Sequence, residues 1–218
     1  MVQCFTQAVR SQRYTLSKQP TKKMAEANES DRNTTAENLY CNNGEVWFAM
    51  SAPYRRELKA KSFLEGKHIE CYVPMTKTVV TKRNGLKKSE LIPAIHNLIF
   101  VHTSKERIKE LKRGVDFLQY RTQPVNGKNT PIIVPDKQME QFITITEAHK
   151  EHITYLTPDE IDLKAGTRVR IHGGSFDGIE GTFVKIKGKR NKVVVVSIEG
   201  VAAISLAEVS PDLIEPLA

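Results

Sequence analysis

The sequence predicts two folded parts of different class. Residues 45–150 read as an α+β domain, an antiparallel sheet flanked by helices, and residues 164–218 as a small all-β barrel. Three observations lead there. From Glu45 onward, strand-like runs such as Val46-Trp47-Phe48-Ala49-Met50 are interleaved with helix-like segments, the mixture of periods a layered α+β domain requires. After Lys164 the helical period disappears, and short strands are separated by glycine-rich corners, which fits a small closed sheet. Between the two, 151–163 is polar and aperiodic, as a linker would be.

Residues 1–44 are also polar, and their few apolar residues (Val2, Phe5, Val9, Leu16, Leu39) keep no period. Such a segment buries too little surface to offset its ordering entropy, so a disordered leader is expected, with Met24 as an alternative start to Met1. The first domain opens on the Val46–Met50 strand, marked by its aromatic and branched residues. A helix follows Pro53 to about Leu64, with Ala60, Phe63 and Leu64 on one buried face and Gly66 as its stop. His68 to Val73 is a second strand, closed by Pro74. Met75 to Ile92 is a hairpin about Asn84-Gly85, the strongest short turn signal. Its tip carries Lys82, Arg83, Lys87 and Lys88, with no acid between Lys77 and Ser89.

Asn97 to Val101 is a buried strand, and Thr103-Ser104-Lys105-Glu106 reads as a capping box opening a helix with Ile108 and Leu111 inward. Val115 to Arg121 is a strand, Gln123 to Pro131 a turn-rich stretch around Asn126-Gly127, and Ile132 to Val134 a short strand. Pro135-Asp136 starts a helix in which Met139, Phe142, Ile143 and Thr146 fall at i, i+3, i+4 and i+7, prolonged through Glu147 to Ile153. In the last part Arg168, Val169, Arg170 and Ile171 alternate polar and apolar, as a half-buried strand does. Lys192–Ser197 and Gly200–Ile204 are further strands. Gly173, Gly174, Gly178 and Gly181, placed around Phe176, mark the corners.

The chain of 218 residues has a formal net charge of +8. That balance favours a polyanionic partner, most simply nucleic acid, although composition leaves open a soluble protein that is merely basic. The excess is uneven: +5 over 45–160, +2 in the leader and only +1 over 161–218. A nearly neutral terminal part suits protein contact better than tracking a phosphate backbone. Cys4, Cys41 and Cys71 are far apart and form no C-x-x-C pair, so neither a zinc site nor a disulfide framework is indicated, and a cytoplasmic setting fits. No run approaches the ~18 apolar residues of a membrane span. His149 and His152 lack a third ligand at recognisable spacing and read as a surface pair. Gly173-Gly174-Ser175 lacks the Gly-Lys-Ser/Thr ending of a phosphate-binding loop. A monomer without cofactor, metal, membrane or catalysis is expected.

The stretch Lys164 to Val184, with Gly173, Gly174, Gly178 and Gly181 around Phe176, resembles the KOW motif of NusG-type transcription factors and several ribosomal proteins. Trp47-Phe48, the basic first helix, Tyr72-Val73-Pro74-Met75 and the basic hairpin are similar to the N-terminal (NGN) domain of the NusG family. So are Pro93-x-x-x-Asn97-Leu98-Ile99-Phe100-Val101 and Phe117-Leu118-Gln119-Tyr120. Within the family, Glu151–Glu160 and the segment around Val134-Pro135 look like the UpxY branch, specialised antiterminators of capsular polysaccharide operons.

The resemblance implies an NGN-like domain followed by an SH3-like KOW barrel. It also implies docking on the clamp helices of bacterial RNA polymerase, suppression of pausing or termination, and contact with non-template DNA or a nascent RNA leader. The KOW part would recruit a ribosomal protein or Rho. Carried over by position, Ile95, Phe100, Phe117 and Tyr120 would form the apolar polymerase-binding depression, with ordinary core packing as the alternative. Arg55, Arg56 and Lys59 would meet the DNA strand, Arg55 and Lys59 sharing a face at i, i+4, or else form a solvated helix face. The hairpin tip (Lys82, Arg83, Lys87, Lys88) would graze duplex DNA or simply be a solvated turn. Gly173, Gly174, Phe176, Gly178 and Gly181 would be barrel architecture. Ser51 stands where specialised members often carry an aromatic. His102-Thr103-Ser104 resembles a polymerase-gripping motif but lies too early, and the role is not carried over because Thr103 reads as a helix cap. The alternatives are a general elongation factor and a ribosome-associated RNA-binding protein, the latter requiring a strongly basic barrel.

Overall fold

The computed structural model describes residues 44–81, 85–156, 162–187, 190–207 and 209–217. The expected leader, Met24, and the hairpin-tip residues Lys82 and Arg83 lie outside them. At the centre is β1 (Glu45–Ser51), buried from Val46 to Met50. Both of its faces are covered, so it reads as a continuous apolar run rather than an alternation. Helix α1 (Glu57–Glu65) starts later than Pro53 predicts, because Tyr54 and Arg55 sit in the left-handed region at φ 61° and 56°. Ala60 and Leu64 face inward.

β2 (Glu70–Tyr72) leads into the hairpin of β3 (Met75–Thr81) and β4 (Lys87–Pro93), and then into β5 (Leu98–Ser104). β5 runs beyond its expected end, and this corrects the capping assignment. Thr103 is a buried strand residue opposite Val46. The cap of α2 (Lys105–Arg113) is Ser104, whose hydroxyl accepts the Arg107 N–H at 3.3 Å. Ladder pairing and burial outweigh the local capping preference at Thr103.

Of the predicted 115–121 strand, β6 (Gln119–Tyr120) pairs with Met50 and Ser51 of β1, and the Arg121 N–H donates to the Ala49 carbonyl at 3.0 Å. The turn-rich stretch proves to be a hairpin, β7 (Thr122–Val125) and β8 (Lys128–Pro131). Its two loop residues, Asn126 and Gly127, both have positive φ (50° and 75°), as a type I′ turn requires. β9 (Ile133–Val134) adds to β1, and α3 (Asp136–Ala148) follows. The main sheet runs β2-β5-β1-β6, with β9 also on β1, and its pairings are antiparallel.

The C-terminal sheet has six antiparallel strands. They are β10 (Ile153–Leu156), β11 (Thr167–Ile171), β12 (Glu180–Lys185), β13 (Lys192–Ile198), β14 (Ala202–Leu206) and β15 (Ile214–Pro216), in the order β10-β14-β13-β12-β11-β15. β10 corrects the expected linker: Ile153 to Leu156 pair residue by residue with Leu206 to Ala203. The strand is short, but Ile153 and Tyr155 pack on the large core cluster and Leu156 is buried, contacts that 151–163 does not announce by period. No pair closing β10 onto β15 occurs among the described strands.

Alternate residues of β1 and β5 divide the core. Val46, Phe48, Met50, Ile99 and Val101 pack with Ala60, Leu64 and Ile108 beneath α1 and α2. Trp47, Ala49, Leu98 and Phe100 point the other way, to Met139, Phe142 and Ile145 of α3 and, in one continuous cluster, to Val169, Val194, Val196 and Ile204 of the C-terminal sheet. The two sequence-defined parts share a core.

Candidate functional site

The basic surface ahead of α1 is built by a loop and not by helix spacing. Asn97, itself at φ 58°, accepts the Arg55 N–H on its side-chain oxygen at 3.0 Å. The Asn97 N–H donates to the carboxylate of Glu57, which is only 1% exposed. These bonds hold Tyr54 and Arg55 in a conformation that costs a bulky residue roughly 1–3 kcal/mol. The expectation that Arg55 and Lys59 share a helical face is therefore corrected, since Arg55 precedes the helix.

Arg56 is committed internally. Its guanidinium bonds the Asp116 carboxylate at 3.1 Å and the Pro53 carbonyl at 3.1 Å. It also lies 5.4 Å from the Tyr54 ring centroid and 5.7 Å from that of Phe117. The hydrogen bond from Arg56 holds the Asp116 carboxyl below its ordinary range. Lys59 sits over the Phe117 ring at 4.9 Å. Arg55 and Lys59 are exposed, and their charged groups make no ion pair or hydrogen bond among the described residues. On the hairpin, Lys87 and Lys88 are exposed, and Lys88 pairs with Glu90 at 3.3 Å.

The four residues expected to share one apolar depression are split between the two faces of the sheet. Phe100 is fully buried, edge-on to Phe142 at 5.9 Å, and Ile95 packs on the same cluster. Phe117 and Tyr120 belong to the opposite cluster, Phe117 against Phe63 at 5.6 Å and Tyr120 beneath Lys112 at 3.7 Å. Burial raises the Tyr120 hydroxyl and lowers the Lys112 ammonium from their ordinary pKa values.

The Phe100 face is covered by α3 and the C-terminal sheet together. Gln138 and Gln141 on α3 donate side-chain N–H bonds, each of 2.7 Å, to the carbonyls of Ser197 and Glu180. His149, at the end of α3, lies 4.7 Å from the Phe176 ring, and the His152 carbonyl accepts the Ala207 N–H at 2.7 Å. Nearby, the Tyr72 and Thr146 hydroxyls are bonded at 2.5 Å. The Tyr155 hydroxyl is buried without a hydrogen-bond partner among the described residues. A cleft of about 630 Å³, lined by Lys137, Gln138, Gln141, Arg168 and Glu180, runs along the seam.

The family model described as transcription termination factor NusG matches residues 45–143. Residues 45–143 form a NusG-family domain. The chain is also similar to a solved structure described as domain interaction in Thermotoga maritima NusG, at 18% identity, covering 80% of this chain and 98% of that one, with a TM-score of 0.42. A second likeness is to the MjSpt4:Spt5 complex in conformation B, at 15% identity, covering 79% and 97%, with a TM-score of 0.25. No curated protein matches the sequence.

The strands beyond the NusG-family domain carry the glycine pattern. Gly173, Gly174 and Gly178 have φ of 83°, 71° and 77°, conformations that favour glycine. Gly181 is needed for a different reason: a Cβ there would lie 2.8 Å from the Val195 carbonyl oxygen on the neighbouring strand. Phe176 is more than architecture, since it reaches His149 across the seam.

The residues that join the NusG-family domain to the sheet behind it, Gln138, Gln141 and Tyr155, escaped sequence reasoning. Polar residues on an amphipathic helix look solvated unless the element facing them is known. Glu57 was missed too, though an acid directly after two arginines at a helix start is a visible signal. No helix among the described residues is long and apolar enough to cross a membrane. No group of three or more metal-ligating side chains occurs among them.

Proposed function

We propose that this chain is a NusG-type transcription factor that binds elongating RNA polymerase and suppresses pausing or termination, raising read-through of a long operon. The NusG-family match over 45–143 carries the reading. The resemblance of 151–160 and of the Val134-Pro135 segment to the UpxY branch points to a specialised antiterminator of a capsular or exopolysaccharide operon. Polymerase docks on the apolar face around Ile95, Leu98 and Phe100. That face is buried by α3 and the C-terminal sheet, so engagement of the clamp helices requires both to move off it. The loop of Arg55 and the first turn of α1 with Lys59, together with the β3–β4 hairpin, meet the nucleic acid exposed on the polymerase. The C-terminal strands act as a KOW barrel that is free to recruit a ribosomal protein or Rho once released.

The test is a purified transcription assay on templates carrying the candidate operon leaders. The protein is expected to shorten pauses and increase full-length transcript, and to be retained by immobilised elongation complexes. No effect on pausing or termination on any leader, together with no retention, would remove the proposal.

A further inference from the structure

We propose that Tyr54 is a stacking platform for one unpaired base of a single-stranded polynucleotide, with Arg55 beside it to meet the backbone phosphate. The inference rests on the reading that the basic loop contacts nucleic acid, and it names the chemistry of that contact.

Tyr54 is 85% exposed, the most exposed of the large apolar and aromatic side chains among the described residues. Its ring therefore adds almost nothing to the core, yet the backbone holds it in a left-handed conformation at φ 61°. That conformation is maintained by a hydrogen-bonded relay anchored on the buried Glu57, which accepts the Asn97 N–H while the Asn97 side chain accepts the Arg55 N–H at the surface. The ring is braced by the Arg56 guanidinium, which is itself tied to Asp116 and the Pro53 carbonyl. Arg56 is thus a support and not the phosphate ligand. Arg55 is exposed and its guanidinium makes no ion pair or hydrogen bond among the described residues, whereas Lys59 sits over the Phe117 ring.

An aromatic ring presented to solvent on a fixed backbone, with the exposed Arg55 next to it in the chain, offers the two contacts a single strand needs. Bases stack on the ring whatever their identity, and phosphates meet the cation. A duplex, whose bases are already stacked on each other, has no free π face to offer. Because the loop is held in place before binding, little ordering cost is incurred when a base arrives.

The experiment uses the full chain and short single-stranded DNA and RNA oligonucleotides, each carrying one 2-aminopurine, whose fluorescence is quenched when it stacks. The wild type and Tyr54→Phe are expected to bind and quench. Tyr54→Gly removes the ring at a φ that glycine adopts freely. It should lose the quenching and about tenfold in affinity, with an unchanged melting profile and salt dependence. Arg55→Ala should weaken binding and flatten the salt dependence, as loss of a phosphate contact does. The DNA or RNA arm that binds more tightly identifies the strand.

Unchanged quenching in Tyr54→Gly would overturn the platform while leaving the basic loop as a phosphate contact. Loss of polymerase retention with DNA and RNA binding intact would make Tyr54 a protein contact instead, and would overturn it equally. If the wild type binds neither strand, the nucleic-acid reading of the loop itself fails and takes this inference with it.

Discussion

Ile99 and Phe100 are neighbours on β5, both fully buried, on opposite faces of the same sheet. Ile99 is covered by α1 and α2, which adjoin β1 and β5 in the chain. Phe100 is covered by α3 and by strands that begin some way further along the sequence. The first face is closed by short connections of the domain itself. The second is closed partly by a sheet that lies outside the NusG-family match, through glutamine-to-carbonyl bonds along an open cleft. The first face is sealed by its own domain alone, whereas the second, sealed by α3 and by a sheet outside the match, must be uncovered if polymerase docks there.

Truncation at the two positions tests this most severely. Phe100→Ala is expected to cost ~3–5 kcal/mol and Ile99→Ala ~2–5 kcal/mol by denaturant unfolding, as large-to-small core changes do. The distinguishing readout is amide exchange. Phe100→Ala should speed exchange in α3 and β13, whereas Ile99→Ala should speed it in α1 and α2 and leave the seam protected. Equal loosening of the seam by both changes would mean that the faces are not independent.

Much of the first face was legible in the sequence because its signals are local. The apolar runs of β1 and β5, the Ala60/Leu64 helix face of α1 and the inward Ile108/Leu111 pair of α2 each show themselves within a few residues. What was not legible depends on partners far away in sequence. Thr103 looks like a cap until Val46 is placed opposite it. Ile153–Leu156 looks like a linker until β14 is there to pair with it. The resemblance groups Phe100 and Phe117 in one depression, and only the packing of β5 and of the segment before β6 against opposite faces of the sheet separates them. Around the start of α1, the family resemblance points to Arg55, Arg56 and Lys59, but not to the tie between Arg56 and Asp116, sixty positions away.

A smaller perturbation acts on the seam alone. Gln138→Ala with Gln141→Ala removes two side-chain bonds to carbonyls beside an open cleft, where water can replace the lost donors. At ~0.5–1.5 kcal/mol for a typical bond, the pair should weaken closure by about 1–3 kcal/mol. Exchange in α3 and β13 should rise with no change beneath α1 and α2. If polymerase uses the Phe100 face, retention by immobilised elongation complexes should increase. A fall in retention would place the docking surface elsewhere, or make the glutamines part of it.

The smallest expected effect has the opposite sign. The Tyr155 hydroxyl is buried with no hydrogen-bond partner among the described residues, close to Tyr72, whose own hydroxyl is engaged by Thr146. Burial, and to a lesser extent Tyr72, pushes the Tyr155 hydroxyl well above its ordinary pKa, so it remains neutral and the cost lies in its lost hydration. A buried unsatisfied group costs ~1–3 kcal/mol, and the cost disappears when water reaches it. Tyr155 lies on β10 and packs against the shared cluster, so separation of the sheet from the Phe100 face would hydrate the hydroxyl. Tyr155→Phe keeps the ring and removes this penalty. It should stabilise the closed arrangement by about 1 kcal/mol, the low end of that range, slow exchange in α3 and β13, and reduce polymerase retention. Opposite responses to Tyr155→Phe and to the glutamine pair would mark the seam as a balanced contact. A destabilising Tyr155→Phe would instead mean that the hydroxyl is satisfied and the sheet is held shut more firmly than its polar contacts indicate.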